Sequence, residues 1–200
     1  MTVVGTWLID GAAKDAQSIT ASWEPTNRRL IEGVVLRPVR HVPKGNGALV
    51  EIYRSDWQVD TLGVDQVFHV WLNSGGLSAW HAHEHTTDRL FVTSGMIRVA
   101  LFDARSDSPT CGLVNEFKVG TLQPALIVIP PKVWHGVQNL GPAPAGLLNL
   151  VDQAYRYEDP DHWRVPPDTP AIPFRWSPST SQVDALAGAS TSLRPAPPRR

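Results

Sequence analysis

The sequence predicts an all-β fold, a small and mostly antiparallel barrel, and three observations support that class. From Ile31 onward, short β-branched or aromatic runs are separated by Gly, Pro, Asn and Ser, which is typical of sandwiches and barrels. No long amphipathic helix pattern interrupts these runs. The 200 residues can bury a sizeable core and still fit within one all-β domain. A single domain is therefore expected.

The chain divides into three segments by composition. Residues 1–30 are weakly patterned, and we expect an N-terminal arm that packs on the barrel or on a neighbouring subunit. Residues 31–176 carry the strand pattern and form the barrel domain. Residues 177–200 are rich in Pro, Ser and Ala and poor in large apolar side chains. Such a tail buries too little apolar surface to offset the entropy lost on ordering, so we expect it to be disordered.

Eight strands are expected within the barrel domain, each a short apolar or β-branched run bounded by turn residues. They cover residues 33–42, 48–54, 66–72, 90–93, 97–102, 115–119, 125–129 and 146–151. Ser94-Gly95 predicts a tight turn between two of these strands, and residues 103–109 predict a longer loop.

The charge balance favours a small molecule as the partner. The chain has 18 Lys and Arg against 19 Asp and Glu, so no large field attracts nucleic acid or a membrane surface. No run approaches the roughly 20 apolar residues that span a bilayer, and residues 1–10 lack a basic leader. We expect a cytoplasmic protein.

A lone Cys111 cannot form an internal disulfide and is given no role.

The first group of chemically active residues lies in GLSAWHAHEHTTDRLFVTSG, which follows the pattern H-x-H-x4-D-x6-G. Residues two apart on a strand share a face, so His81 and His83 can point into one pocket. Trp80 and Ala82 then face the other way. Asp88 adds a carboxylate to the pair of imidazoles. This spacing predicts a polar site inside the barrel.

The second group lies in PPKVWHGVQN, where Pro130, His135 and Asn139 follow the pattern P-x4-H-x3-N. Together the two patterns resemble the two motifs of the cupin superfamily. The resemblance implies a double-stranded β-helix, or jelly-roll barrel, in which both motifs converge. The acidic position, usually Glu in cupins, is Asp88 here, and the usual glycine after the proline is Lys132.

The flanking residues narrow the resemblance to the dTDP-4-dehydrorhamnose 3,5-epimerase-like group of cupins. It covers residues 31–176, through IEGVVLRPVRHVPKGNGALVEIYR, AWHAHEHTTD, ALFDARSDSPTCG, IPPKVWHG and YEDPDHWRVPPDTPAIPFRW. Members are usually homodimers that need no cofactor. One histidine removes the protons next to the C4 ketone of a nucleotide-linked 4-keto-6-deoxy sugar, and a tyrosine returns them. By resemblance His81 is this base, His135 is the second active-site histidine, and Glu51 belongs to the nucleotide side.

Three positions depart from that group. Ser78 stands where the group has a phosphate-binding arginine, Asp88 stands where it has a lysine, and the tyrosine acid falls near Leu148. The chain also resembles the dTDP-sugar 3,4-ketoisomerases through its His-Ala-His triplet and IPPKVWH. Those enzymes move a proton with histidines alone, which would suit His81 and His83. Both alternatives isomerise a nucleotide-linked keto sugar.

Two other classes stay open. Three histidines and one carboxylate at this spacing could hold Zn, Fe, Mn or Ni in a metal-dependent dioxygenase, isomerase or cyclase. The ligands would be His81, His83, Asp88 and His135. Alternatively, the missing tyrosine and lysine suit a non-catalytic sugar-binding protein. Metal in the purified protein would indicate the metal-dependent class. Binding of a nucleotide sugar without turnover would indicate the non-catalytic class.

Candidate site residues follow from the motifs. The catalytic candidates are His81, His83 and His135. The substrate-binding candidates are Glu51, Arg89, Lys132, Trp80 and Trp134, since each lies in or beside a motif. Arg40 and Arg54 are further candidates for a diphosphate. Histidines outside the motifs are expected to be structural, and they are His41, His69 and His162.

Overall fold

The computed structural model describes residues 7–21 and 29–177. Twelve strands lie in this part of the chain, and its one helical element is a 3-10 turn, Ser55–Trp57. The strands are β1 (Val35–Pro38), β2 (Val42–Lys44), β3 (Gly47–Leu49), β4 (Gln66–Leu72), β5 (Leu77–Ala82), β6 (Asp88–Ser94), β7 (Met96–Asp103), β8 (Val114–Gly120), β9 (Ala125–Ile129), β10 (Val133–Asn139), β11 (Ala145–Val151) and β12 (Trp163–Arg164).

Two five-stranded sheets form the barrel. Sheet I has the order β1-β9-β6-β11-β4, and sheet II has the order β12-β5-β10-β7-β8. Every strand pair in them is antiparallel, including the pair that joins β6 to β11. The predicted fold class, an all-β antiparallel cupin barrel, is confirmed.

The main core fills the space between the sheets. Alternate residues of β7 point into it, and Ile97, Val99 and Leu101 are completely buried. From sheet I, Ile127 and Ile129 of β9 meet them in the same apolar cluster. This period of two arises because successive side chains leave a strand on opposite faces.

The outward faces of both sheets carry smaller apolar clusters. Trp80 and Ala100 on sheet II are covered by the C-terminal residues Ile172, Phe174 and Trp176. On sheet I, Phe91, Leu126 and Val128 are covered by side chains between residues 50 and 59. Segments outside the ladders therefore bury the second face of each sheet.

Most predicted strands are present, with three differences. The strand predicted at 48–54 is wrong beyond Leu49, because Ile52 and Tyr53 pack on the outside of sheet I without joining a ladder. The strand predicted at 33–42 shortens to β1. Strands β5, β10 and β12 were not in the predicted set, although the alternation of His81 and His83 was argued for a strand.

Both predicted connections are confirmed. Gly95 has a φ of 77° and links β6 directly to β7. Asp103 ends β7, and its buried carboxylate accepts hydrogen bonds from Ser108 and Thr110, both at 2.6 Å. Burial alone would raise the pKa of Asp103, but hydrogen bonds, first of all from Arg105, lower it below the usual value. The longer loop is thus organised around one ionised carboxylate.

The two ends of the chain are only partly described. Residues 7–21 of the expected arm are almost all exposed, and Trp7 is 82% exposed. Ile31, just after the arm, is buried in the main core. Residues 178–200 of the expected disordered tail lie outside the described part. Within the described residues, no helix has the length and apolarity needed to cross a membrane.

Candidate active site

A cavity of about 350 Å³ lies between the sheets, next to the apolar core. Sheet I contributes Phe68, Asp88 and Asn149 to its wall, and sheet II contributes His81 and His135. The cavity therefore brings together both motifs, which are far apart in the sequence.

The two principal histidines meet through strand pairing. His135 of β10 lies directly opposite His81 of β5 in the antiparallel register, and their ring centroids are 4.0 Å apart. His83 follows the end of β5 and lines the same cavity, with its ring 5.7 Å from that of His81. Trp80 and Ala82 are buried away from the cavity. The alternation predicted for this segment is confirmed.

Asp88 lies between two of these imidazoles at the start of β6. Its Oδ2 is 3.1 Å from His135 Nε2 and 3.3 Å from His83 Nε2, and the side chain is 2% exposed. Asn149 Nδ2 donates a 2.6 Å hydrogen bond to Oδ1. Burial would raise the pKa of Asp88, yet the hydrogen bond from His135 and the nearby positive charges lower it overall. Asp88 is therefore a buried carboxylate ion.

His83 and His135 share one kind of environment. His135 Nδ1 lies 3.0 Å from the Val133 carbonyl oxygen, and His83 Nδ1 hydrogen-bonds the Asp161 carbonyl oxygen. The other ring nitrogen of each faces Asp88. A ring with acceptors at both nitrogens is satisfied when both carry a proton. Both rings are thus held between Asp88 and a backbone carbonyl oxygen.

His81 has a different environment. Its Nδ1 is buried and has no hydrogen-bond partner among the described residues. Burial lowers the pKa of His81 far below its usual value, and the adjacent charges of His135 and His83 lower it further. A neutral imidazole with an unengaged nitrogen on the cavity wall can accept a proton, so His81 is a candidate base.

His162 was expected to be structural, but it lines the cavity. Its ring is 5.0 Å from that of His81 and 4.9 Å from that of His83. Burial, followed by the charge of Arg164, lowers the pKa of His162 to about 4. The only signal in the sequence was its position in YEDPDHW, since no histidine spacing links it to the two motifs.

Asp161 fixes the chain around His83. Its carboxylate accepts hydrogen bonds from the backbone N–H groups of Glu84 (2.6 Å), His85 (2.9 Å) and Thr86 (3.0 Å). Burial opposes ionisation, but these donors lower the pKa of Asp161 to about 2. The segment before β12 is thereby held against the end of β5.

A family model described as dTDP-4-dehydrorhamnose 3,5-epimerase matches residues 28–190. The chain belongs to this family. It is therefore an enzyme of the sugar-nucleotide epimerase class, as the motifs predicted.

Similar proteins support this membership. The probable low-salt glycan biosynthesis epimerase Agl13 of Haloferax volcanii is 35% identical over 148 residues, covering 74% of this chain and 95% of that protein. The spore coat polysaccharide biosynthesis protein SpsL of Bacillus subtilis is 30% identical, covering 74% and 97%. The solved dTDP sugar isomerase from Desulfovibrio desulfuricans is 31% identical with a TM-score of 0.68, covering 73% and 92%.

Three expected substrate-binding residues of the epimerase do not line the cavity of the described chain. Arg89 is 0% exposed and forms an ion pair with Asp60 at 2.7 Å. Trp80 is buried in the outer cluster on sheet II, and Trp134 packs against that cluster. All three stabilise the barrel walls instead of facing the cavity.

The other two expected substrate-binding residues also do not line the cavity. Lys132 is exposed at a φ of 65°, in the left-handed region that favours glycine, which the cupin motif has there. Glu51 is exposed and pairs with Arg54 at 3.1 Å. Within one chain, neither side chain is part of the cavity wall.

The mouth of the cavity is lined by residues that the sequence analysis did not select. Tyr155, Arg156 and Arg164 lie there, contributed by β12 and the segment before it. Leu148 does not line the cavity, whereas its neighbours Leu147 and Asn149 do, because alternate residues of β11 face inward. The position expected for the tyrosine acid therefore points away from the cavity.

Two overlapping triples of side chains in the epimerase could hold a metal ion. Among the described residues, one triple is His81, His83 and His162, and the other is His83, Asp88 and His135. Within each triple, the ligand atoms lie within 4.8 Å of one another. Imidazole and carboxylate ligands suit Zn, Fe, Mn or Ni. The four ligands expected from the sequence do not form one set, because His81 groups with His162 while Asp88 faces His135.

Proposed function

We propose that this epimerase inverts carbon centres next to the C4 ketone of a dTDP-linked 4-keto-6-deoxy sugar, with His81 as the base. The observation that carries the proposal is the position of His81 on the cavity wall, where its buried Nδ1 has no hydrogen-bond partner among the described residues and His135 and Asp88 lie close by. A similar solved structure is named a dTDP sugar isomerase, and a similar curated protein a glycan biosynthesis epimerase.

The chemistry begins with proton transfer to His81. The C–H electron pair moves toward the ketone, and negative charge develops on the C4 oxygen. The imidazole rings of His135 and His83 line the same cavity and are polar groups close to that charge. Inversion then requires a proton on the opposite face of the sugar. Tyr155 is the tyrosine that lines the cavity, and the proposal gives it this role.

The nucleotide side of the substrate lies at the mouth of the cavity in this proposal. Arg156 and Arg164 line the mouth, and guanidinium groups bind phosphate oxygens in a bidentate way. Ser78 lines the wall where the resemblance would place an arginine. Arg156 and Arg164 therefore take over the diphosphate role that was expected for Arg89 and Lys132.

The proposal is tested by comparing two identical substitutions. His81→Asn removes the base and should lower turnover of dTDP-4-keto-6-deoxyglucose by about 10²–10⁴-fold, the usual contribution of a general base. His69→Asn is the control, because His69 is exposed on β4 and outside the cavity. Product formation is followed by proton NMR. Equal activity of the two variants would remove His81 from the mechanism.

A metal-dependent reaction is the second candidate, and the two ligand triples are the observation that favours it. A metal held there would polarise the ketone as a Lewis acid. The metal-free proposal expects full turnover after treatment with EDTA and dialysis. Loss of turnover in EDTA, restored by one of Zn, Fe, Mn or Ni, would favour the metal-dependent reaction.

A homodimer and a cytoplasmic location complete the proposal. The exposed arm supports the dimer, since Trp7 and Ile9 present large apolar side chains to solvent. Clusters of exposed apolar side chains are typical of surfaces that bind another protein. The arm would therefore pack against a second copy of the chain.

A further inference from the structure

His162 is the cavity histidine that the proposed function leaves without a role. Its Nε2 is buried and has no hydrogen-bond partner among residues 7–21 and 29–177. The next two residues form β12, where Trp163 and Arg164 pair with Ala82 and His81 of β5. An edge strand therefore holds His162 beside the proposed base. A buried polar atom without a partner carries a desolvation cost, and a bound ligand can remove it.

The other ring nitrogens near His81 lie close to acceptors, whereas Asp88 Oδ2 is also buried without a hydrogen bond. His83 and His135 each face Asp88 with one nitrogen and a backbone carbonyl with the other. Asp88 accepts a hydrogen bond from Asn149 and, as a carboxylate ion, cannot donate one to a developing oxyanion. His162 Nε2 is thus a nitrogen beside His81 that remains available to a substrate.

We propose that His162 is a catalytic residue, which donates a hydrogen bond from Nε2–H to the ketone oxygen at C4 while His81 removes the proton from the adjacent carbon. The inference rests on the proposed function. The α-carbon and the ketone oxygen are only two bonds apart, so the two groups that serve them must be neighbours. The His81 and His162 rings, 5.0 Å apart, meet this condition.

The same distance excludes a different role for His162. A sugar ring held between two imidazoles needs about 3.5–4.0 Å of van der Waals separation on each side. Rings whose centroids are 5.0 Å apart leave no such space. His162 therefore acts on the same side as His81 and does not return the proton to the opposite face.

The proton and electron balance needs no co-reactant. His81 gains the proton, the C–H pair forms the C=C bond of the enolate, and the C4 oxygen takes the charge. His162 stays neutral and only strengthens its hydrogen bond as that charge grows.

The test compares His162→Phe, which removes the donor, with His162→Gln, which keeps an N–H group. We expect kcat of His162→Phe to fall about 10²–10³-fold with little change in KM, as for loss of one oxyanion donor. His162→Gln should recover part of that loss. His85→Phe is the matched control, because His85 is exposed and does not line the cavity. Circular dichroism checks the fold of each variant.

A spectroscopic measurement separates this role from a structural one. The infrared stretch of a substrate carrying ¹³C at C4 should lie at lower frequency on the wild-type enzyme than on His162→Phe, because the donor polarises the ketone. In His162→Phe, an unchanged stretching frequency together with a wild-type kcat would overturn the role of His162 and leave the proposed function intact. Absence of turnover and of exchange in the wild type would instead overturn the proposed function. Loss of a stoichiometric metal on substitution would assign His162 as a ligand and also overturn the proposal.

Discussion

At the scale of single residues, the cavity separates its histidines by environment. His81 is desolvated and next to positive charge, so it stays neutral. His83 and His135 instead have one ring nitrogen close to a shared carboxylate, Asp88. The same residue type can therefore meet different environments within one cavity, and local environment decides which protonation state of an imidazole is stable.

This arrangement predicts an unusual pH dependence. A histidine base with an ordinary pKa near 6.5 would lose about tenfold in rate by about pH 5.5, because only its neutral form accepts a proton. The lowered pKa of His81 keeps the base neutral there, and His162 also stays neutral above its pKa of about 4. We expect kcat to change by less than about threefold between about pH 7.5 and pH 5.5. The measurement is initial-rate NMR across that range.

The pH experiment needs a control for folding. His81 and His162 have pKa values below 6.5 in the folded state, so the unfolded chain binds more protons below that pH. The free energy of unfolding therefore decreases as pH falls below 6.5. Circular dichroism at each pH shows whether the protein is still folded. A tenfold decrease in kcat with an intact fold would mean that the base has an ordinary pKa.

The residues of the site were partly predictable from the sequence. The spacing of His81, His83 and Asp88, with the later His135, predicted one pocket, because strand alternation and the two motifs depend on local pattern. His162 was not predictable in this way. It reaches the cavity through the pairing of β12 with β5, a contact between distant parts of the chain that no local pattern encodes.

At the scale of elements, one buried ion pair connects β6 to the segment that follows the 3-10 turn. Arg89 donates hydrogen bonds from Nε and Nη2 to Asp60 at 2.7 and 2.8 Å and is fully buried. Nη2 also donates to the Leu62 carbonyl oxygen at 3.2 Å. Residues 60–62 are thereby attached to sheet I by one guanidinium.

Removal of this guanidinium should destabilise the protein. Arg89→Met leaves Asp60 largely buried without its partner, and breaking a buried pair in this way costs about 3–5 kcal/mol. Arg54→Met is the matched control, because Arg54 pairs with Glu51 and Asp56 at the surface, where such pairs contribute little. Urea unfolding should show a lower midpoint for Arg89→Met alone. Equal midpoints for the two variants would contradict a structural role for Arg89.

The elements themselves were predicted unevenly. Strands β4 and β9 have the predicted bounds, because their apolar or alternating runs end at clear turn residues. Residues 50–54 have a similar composition but cover the outside of sheet I. Composition indicates that a segment will be buried, whereas ladder pairing depends on which partner strand is available.

At the scale of the whole molecule, the two antiparallel sheets divide their shared interior into an apolar core and a polar cavity. The fold class could be predicted from the sequence, because the fold class depends on strand runs and turn residues along the whole barrel domain. The mouth of the cavity was not predictable, because Tyr155, Arg156 and Arg164 reach it from the irregular segment after β11 and from β12. Membership of the epimerase family indicates the class of reaction, and the role of His81 in it is our proposal.

Deuterium incorporation tests the central claim most directly. The wild-type enzyme is mixed with dTDP-4-keto-6-deoxyglucose in heavy water, and the C3 and C5 proton signals are followed by NMR. We predict that both signals disappear as the epimerised product forms, because His81 exchanges the abstracted protons with solvent. Retention of both signals with unchanged substrate would contradict proton abstraction by this enzyme. Loss of the C3 signal alone, with the ketone moved to C3, would contradict the epimerase reaction in favour of ketoisomerisation.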